Sequence, residues 1–192
     1  IARAIYAAGL DPTTTDNAPR TAAELLALGK VVGWFQGRCE MGPRALGHRS
    51  ILADPRDPTM PDRVNERVKR REPFRPFAPA VLSEKASGWF DGTPTPFMTT
   101  VHRVIADGVP GITHVDGTAR VQAVHAADSP DFHALISEFE TLTGVPMVLN
   151  TSFNLRGEPI VCTPAEAVAD YLKTEMDALV VGGQLLQKGP PG

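Results

Sequence analysis

Cysteine is scarce in this chain: among 192 residues only Cys39 and Cys162 occur. Far apart and with no CxxC between them, they exclude a zinc quartet and give a disulfide scaffold no support, so two inert thiols are the expectation. Histidine offers no substitute, because His48, His102, His114, His125 and His133 show no HxxxH, HxH or HExxH spacing, and no metal is expected within the chain. Long apolar runs are missing as well. Stretches such as Ala78–Leu82 and Ala178–Val181 fall far below the ~18 residues a membrane helix requires, and no basic-then-apolar leader opens the sequence. A cytoplasmic setting without membrane contact is therefore expected. There is no internal repeat, no low-complexity tract and no general phosphate-loop signature, and linker composition is confined to residues 188–192.

What is present is an ordinary globular composition, 42% hydrophobic and 21% charged, which suits one compact domain. The net charge is −3, yet ten of the 19 Lys and Arg residues fall within residues 38–75, against six acids there. Arg63, Arg67 and Arg70 have the spacing of one solvated helix face. Arg44, Arg49 and Arg75 lie among Gly, Pro and apolar residues, where a charge needs an acidic partner or a bound anion to offset its desolvation. The stretch GRCEMGPRALGHRSIL at 37–52 and the later NTSFN at 150–154 combine permanently charged Arg forks, Gly turns that let a ligand approach the backbone, and neutral hydrogen-bonding side chains. Together these are the parts of a polyanion site, most naturally a nucleotide site.

Helix and strand signals alternate along the chain. Helices are expected at 1–8, 21–28 (ending at Gly29), 61–70, 83–90, 130–143 (opening after Ser129 and closing at Gly144) and 164–173 (capped by Thr163). Strands are expected at 31–36, 50–53, 77–82, 97–104, 121–125, 146–149 and 178–182. Pro79 places its strand at an edge or a bulge. Such alternation means an α/β domain with a twisted, mixed β-sheet flanked by helices. The chain opens at Ile1, inside an expected helix and without an initiator methionine, so it is expected to be a piece of something longer.

The runs VVGWFQGRCEMGPRALGHRSILADPRDP, NERVKRREPFRPFAPAVL, ITHVDGTARVQ, VPMVLNTSFNLRGEPIVCTPAEA and DALVVGG, in that order, resemble the C-terminal domain of the O-carbamoyltransferases of nodulation and antibiotic tailoring. That domain in turn resembles the YrdC-like fold, whose signature pairs a Lys/Arg region with a Ser-x-Asn, here Lys69 with Ser152 and Asn154. The resemblance implies three segments: residues 1–19 leading from a missing N-terminal domain, a YrdC-like domain at 20–188, and a tail at 189–192. It implies that this domain uses ATP and carbamoyl phosphate to make carbamoyl adenylate. The N-terminal metal-binding domain of the same protein, which holds iron, would then pass the carbamoyl group to an acceptor hydroxyl.

Adenylation expels pyrophosphate from the α-phosphorus, so fixed positive charge must stand where negative charge builds. Arg44, Lys69 and Arg75 match the family positions and are the candidate catalytic residues. Arg120, Asn150, Ser152 and Asn154 join them in binding nucleotide and carbamoyl phosphate. Mg²⁺ is expected to arrive with ATP, held by phosphate oxygens and water. Plainer readings stand beside these: a salt bridge from Arg120 to Asp116, and an NTSFN turn that closes on its own backbone. Trp34, Phe35, Phe74 and Phe77 are expected in the core rather than against an adenine ring, and His114 as a packed strand histidine. Glu40 and Met41 are placed to line the pocket, with filler an equal reading for Met41. Two other classes remain open, a YrdC-like RNA- or nucleotide-binding module and a non-catalytic interaction domain. A nucleic acid is poorly served by negative net charge and a single basic region.

Overall fold

The computed structural model describes residues 1–188, so the expected tail at 189–192 lies outside the described residues. In chain order the elements are α1 (Ala2–Ala7), β1 (Thr13–Thr14), α2 (Ala18–Ala27), β2 (Val32–Phe35), β3 (Arg49–Ala53), α3 (Met60–Arg63), a π-helix (Val64–Lys69) and β4 (Ala78–Leu82). A 3₁₀ turn (Ser83–Gly88), β5 (Val101–Arg103), β6 (Thr118–Arg120), β7 (Gln122–Val124) and α4 (Pro130–Thr143) follow. The chain continues with β8 (Met147–Ser152), α5 (Pro164–Lys173), β9 (Ala178–Val181) and β10 (Gln184–Gln187). Eight strands form one sheet in the order β1-β10-β9-β2-β3-β8-β4-β7, and β5 and β6 form a separate ribbon. The pairs β2·β9 and β4·β7 are parallel and the remainder antiparallel, so the sheet is mixed, as the alternating pattern predicts.

All residues of β2, β3, β4 and β9 are buried, which requires cover on both faces of the sheet. Helices α2 and α4 pack together on it, while α1 packs with α5 against β2 and β9. The caps account for the helix ends. α4 stops at Gly144, whose φ of 77° is open to glycine at little cost, and α5 starts with a reciprocal capping box between Thr163 and Glu166.

Several expectations need correction. The helix expected at 61–70 is one α turn that widens into the π-helix and ends at Arg70, a left-handed residue with φ 47°. Its basic face is solvated but also tied down: Arg63 pairs with Asp177 at 2.8 Å, Arg67 with Glu175 at 3.7 Å, and Arg70 donates to the Lys173 carbonyl. Pro79 is neither at an edge nor at a bulge. Its strand lies inside the sheet, and the ladder to β7 begins one residue later, at Ala80, so the missing N–H breaks no rung on that side. The strand expected at 97–104 shrinks to β5, because Met98 adopts φ 55°. The short strands β1, β6 and β10 carried no clear period-2 signal; β6 is nonetheless the element that carries Arg120.

The turn into β3 depends on Gly47. Its φ is 104°, its carbonyl accepts the Trp34 indole N–H at 2.8 Å, and any Cβ there would overlap the buried Phe132 ring. Gly47→Ala is expected to lower unfolding free energy by about 2–4 kcal/mol, read by denaturant titration. A loss below about 0.5 kcal/mol would show that the packing of α4 against this turn is not as described.

Candidate active site

Glu40 organises the 37–47 loop. Its Oε1 accepts the backbone N–H groups of Leu46, His48 and Arg49 at 2.8, 2.8 and 3.1 Å, closing the loop on one carboxylate. Met41, 99% exposed, is not filler, and Arg44 projects from the exposed side of the same loop. Arg49 also differs from expectation: no acid forms an ion pair with it among the described residues, and Glu40 acts on its charge only from a distance. Its guanidinium donates to the carbonyls of Gln36, His48 and Gly37 and stacks on the Phe35 ring at 3.6 Å. Partial carbonyl charges offset its desolvation, and its role is structural.

Lys69 is 5% exposed at the end of the π-helix. Its Nζ lies 2.8 Å from the Ser152 and Asn154 carbonyls and 2.6 Å from Asn154 Oδ1, with Ser152 Oγ at 3.4 Å. Ser152 Oγ donates to Asn154 Oδ1 at 2.7 Å, and Asn154 Nδ2 to the Glu158 carbonyl. The NTSFN segment is therefore shaped by a cation from a distant element as well as by its own backbone. Asn150, 2% exposed, donates to the Ala45 carbonyl and to Gln122 Oε1, while Gln122 donates to the Leu46 carbonyl. That relay ties the Arg44 loop to β8.

Between these supports lie two adjoining clefts. One, of 90 Å³, is lined by Arg44, Arg71, Arg120, Asn150 and Ser152; the other, of 170 Å³, by Lys69, Arg71, Arg75, Ser152, Asn154 and Arg156. Arg71 and Ser152 belong to both. The fold thus gathers every candidate residue, Arg44, Lys69, Arg75, Arg120, Asn150, Ser152 and Asn154, around one continuous depression. No carboxylate lines either cleft, and Arg44, Arg71 and Arg120 form no ion pair among the described residues. Arg75 does have one: Glu72 holds it at 2.9 Å, with Arg156 at 3.9 Å on the other oxygen. The salt bridge from Asp116 to Arg120 does not form, because Asp116 Oδ1 accepts from Thr118 N and Oγ1. Burial, then the charge of Arg44, pushes the Arg120 guanidinium below its ordinary value; burial, then Arg75, does the same to Arg71. Four like charges held together in this way are suited to an oxyanion with several charged oxygens.

Sequence reasoning missed Arg71 and the residue that aims it. Asn65 is fully buried in the π-helix; its Oδ1 accepts Arg71 Nε at 2.6 Å, and its Nδ2 donates to the Pro73 and Arg75 carbonyls. One amide fixes the whole 70–75 loop. The available signal was the KRRE run, which continued a helical pattern and so hid the left-handed turn at Arg70 that swings Arg71 off the basic face. Trp34, Phe35 and Phe77 are in the core as expected, Phe77 under the Arg71 guanidinium at 4.9 Å, whereas Phe74 is 81% exposed. His114 is half-buried against Thr118 Oγ1 and lines neither cleft.

Burial, then the Arg71 charge, pushes Lys69 down to about 7, with Asp170 partly opposing. Its ammonium is present below that value and is lost as pH rises through it. A neighbouring anion favours the charged form, so sulfate, whose own charge is constant in this range, is expected to bind several-fold more weakly at about pH 9 than at about pH 6. Lys69→Met should bind weakly with a flat profile. Calorimetry at constant ionic strength reads both, and a flat profile in the unsubstituted chain would sink the assignment.

The chain has known relatives by sequence and by fold. Nodulation protein NolO of Bradyrhizobium diazoefficiens is 50% identical over 188 residues, covering 94% of this chain and 34% of that protein. The 3′-hydroxymethylcephem-O-carbamoyltransferase of Amycolatopsis lactamdurans is 39% identical over 183 residues, covering 93% and 35%. The chain thus spans about a third of the length of these relatives. Among solved structures, full-length HypF in its phosphate- and nucleotide-bound form superimposes with a TM-score of 0.63 at 19% identity, over 87% of this chain and 25% of that one. That likeness gives the fold, the YrdC-like one. The family model described as carbamoyltransferase C-terminus matches residues 23–188, and with these relatives it places the chain in the carbamoyltransferase C-terminal family.

Proposed function

We propose that this chain is the adenylating domain of an O-carbamoyltransferase, converting ATP and carbamoyl phosphate into carbamoyl adenylate. The observation that carries the reading is the acid-free cluster of Arg44, Arg71 and Arg120 beside the end of β8. Carbamoyl phosphate first loses phosphate to water. A carbamate oxygen then attacks the α-phosphorus, the bond to the bridging β-phosphate oxygen breaks, and pyrophosphate leaves. Negative charge grows on the bridging and non-bridging oxygens in that step, and the guanidinium forks stabilise it, that of Arg71 from the position Asn65 gives it.

Arg44, Arg71 and Arg120 clamp phosphate oxygens in this scheme, and Arg75 adds charge at the second cleft. Lys69 acts through the Ser152 and Asn154 groups it holds, as well as by its charge on phosphate. Asn150 orients the Arg44 loop from below. Mg²⁺ fits as a companion of the nucleotide, held by phosphate oxygens and water, since the clefts offer no carboxylate of their own. The acceptor hydroxyl is carbamoylated in a separate N-terminal domain with iron, which is the partner proposed for this one. The long relatives and the cephem carbamoyltransferase activity named for one of them support that division. A compact cluster of cations, in place of an extended basic stripe, supports a mononucleotide over a nucleic acid. A cytoplasmic setting suits the proposed substrates; no described helix is long and apolar enough to cross a membrane.

The test is calorimetric titration with ATP and Mg²⁺, with and without carbamoyl phosphate, following pyrophosphate in the same samples. Pyrophosphate release that depends on carbamoyl phosphate is the expected result, and ATP binding without any such release would overturn the adenylating role. Arg44→Glu is expected to weaken ATP binding at least about 100-fold, since it both removes a clamp and reverses its charge. Ser152→Ala should cost about 1 kcal/mol, the worth of one neutral hydrogen bond.

A further inference from the structure

The only two cysteines of the chain, 123 residues apart, meet in the fold. Cys39 Sγ, half-buried in the 37–47 loop, lies 3.9 Å from Cys162 Sγ, which is exposed just before α5. Neither is needed for the chemistry proposed above. Their approach is built in from beneath by Arg49, which is buried and donates through one Nη2 to Gly37 O at 3.1 Å and Cys162 O at 3.5 Å. A single guanidinium therefore holds the two cysteine-bearing segments side by side. On the other side, Cys162 N donates to Glu166 Oε2 at 2.7 Å, fixing that segment to the first turn of α5. Cys39, by contrast, sits in an exposed loop whose rigid part begins with the next residue, Glu40.

We propose that Cys39 and Cys162 form a reversible disulfide that acts as a redox-sensitive clasp on the loop carrying Arg44. Closing the pair to a bond of about 2.0 Å draws the Cys39 sulfur inward by roughly 2 Å. Because Glu40 bonds Leu46, His48 and Arg49 together, the displacement is passed along the loop to Arg44 at the cationic cleft. The oxidant is hydrogen peroxide. The exposed Cys162 gives its proton to solvent and its sulfur attacks one peroxide oxygen; the O–O bond breaks, a sulfenic acid forms, and the departing hydroxide takes a proton from solvent to become water. The Cys39 thiol, which burial keeps protonated, then attacks that sulfur and passes its proton to the departing hydroxyl, so the S–S bond forms and water leaves. Two thiols and one peroxide give one disulfide and two waters, the sulfurs losing two electrons to the peroxide. A small thiol reductant reverses the reaction. Formation of the bond is independent of the carbamoyl reading, and only its effect on Arg44 concerns that site.

The experiment treats the chain with hydrogen peroxide, alkylates remaining thiols, and maps peptides without reduction. The expected product is an intramolecular Cys39–Cys162 link lacking the mass of two hydrogens, reversed by dithiothreitol and absent in Cys39→Ser and Cys162→Ser. Cross-linking so long a loop should raise the Tm by at least about 4 °C. Sulfate affinity, measured by calorimetry, should change about fivefold or more on oxidation, with no change in peroxide-treated Cys39→Ser. Sulfinic acid on Cys162 with Cys39 still free, or linkage only between molecules, would overturn the disulfide. A disulfide that leaves sulfate affinity unaltered would overturn the clasp. Sulfate is the probe throughout, so failure of carbamoyl-phosphate-dependent turnover does not affect either outcome.

Discussion

The Lys69 ammonium enters the protein interior with carbonyl and side-chain oxygens of Ser152 and Asn154 around it, and much of the surrounding architecture follows from that contact. A lone charge at this depth is tolerable only when hydrogen bonds replace its water shell. Those oxygens come from the last residue of β8 and the turn beyond it, so the contact joins the π-helix to the central sheet. The helix must end where Lys69 can reach, the chain must reverse at Arg70, and Arg71 and Arg75 are delivered to the cleft by the loop that follows. Asn65 completes the constraint by donating both amide hydrogens to that loop and accepting from Arg71.

The second constraint is electrostatic. Guanidinium groups without carboxylates among them repel one another and lose hydration, and the downward push on Arg71 and Arg120 records both costs. A fold retains such a cluster when something else supplies negative charge. Where an acid is available it is used sparingly: Glu72 restrains Arg75 and Arg156 at the outer rim, leaving the inner groups free. The supports underneath are backbone carbonyls and neutral amides, as in the Asn150–Gln122 relay and the carbonyls around the Arg49 Nη atoms. In the proposed function, ligand charge would be met by Arg44, Arg71 and Arg120, of which Arg71 is held in place by Asn65.

Much of this was legible in the sequence, for identifiable reasons. Helices α4 and α5 carry strong boundary signals, Gly144 at one end and Thr163 with Glu166 at the other, and both were expected within their observed bounds. The buried strands β2, β3 and β9 appear as short apolar runs. Illegible parts are those decided by distant partners. Pro79 sits inside a sheet because the rungs to β7 begin after it, which no local rule contains. The π-helix has the same residue types as an α-helix, and the Asn65 bonds that hold the loop after it join residues no local pattern links. Arg49 looked like an anion ligand by composition, yet its partners are carbonyls, groups every residue carries and no sequence pattern marks. Conversely, Arg44 and Arg120, far apart in sequence, were grouped through the motifs of the family resemblance, and the fold brings both to the lining of one cleft.

The central claim is that the acid-free cleft shared by Arg44, Arg71 and Arg120 receives nucleotide phosphates. A crystal structure of the chain with a non-hydrolysable ATP analogue tests it most directly. The account predicts phosphate oxygens within hydrogen-bonding distance of those guanidinium groups at the end of β8, with Lys69 still holding Ser152 and Asn154. Phosphates seated elsewhere, for example in the 510 Å³ cavity lined by His48, Phe97 and His125, with the arginine cleft empty, would contradict it.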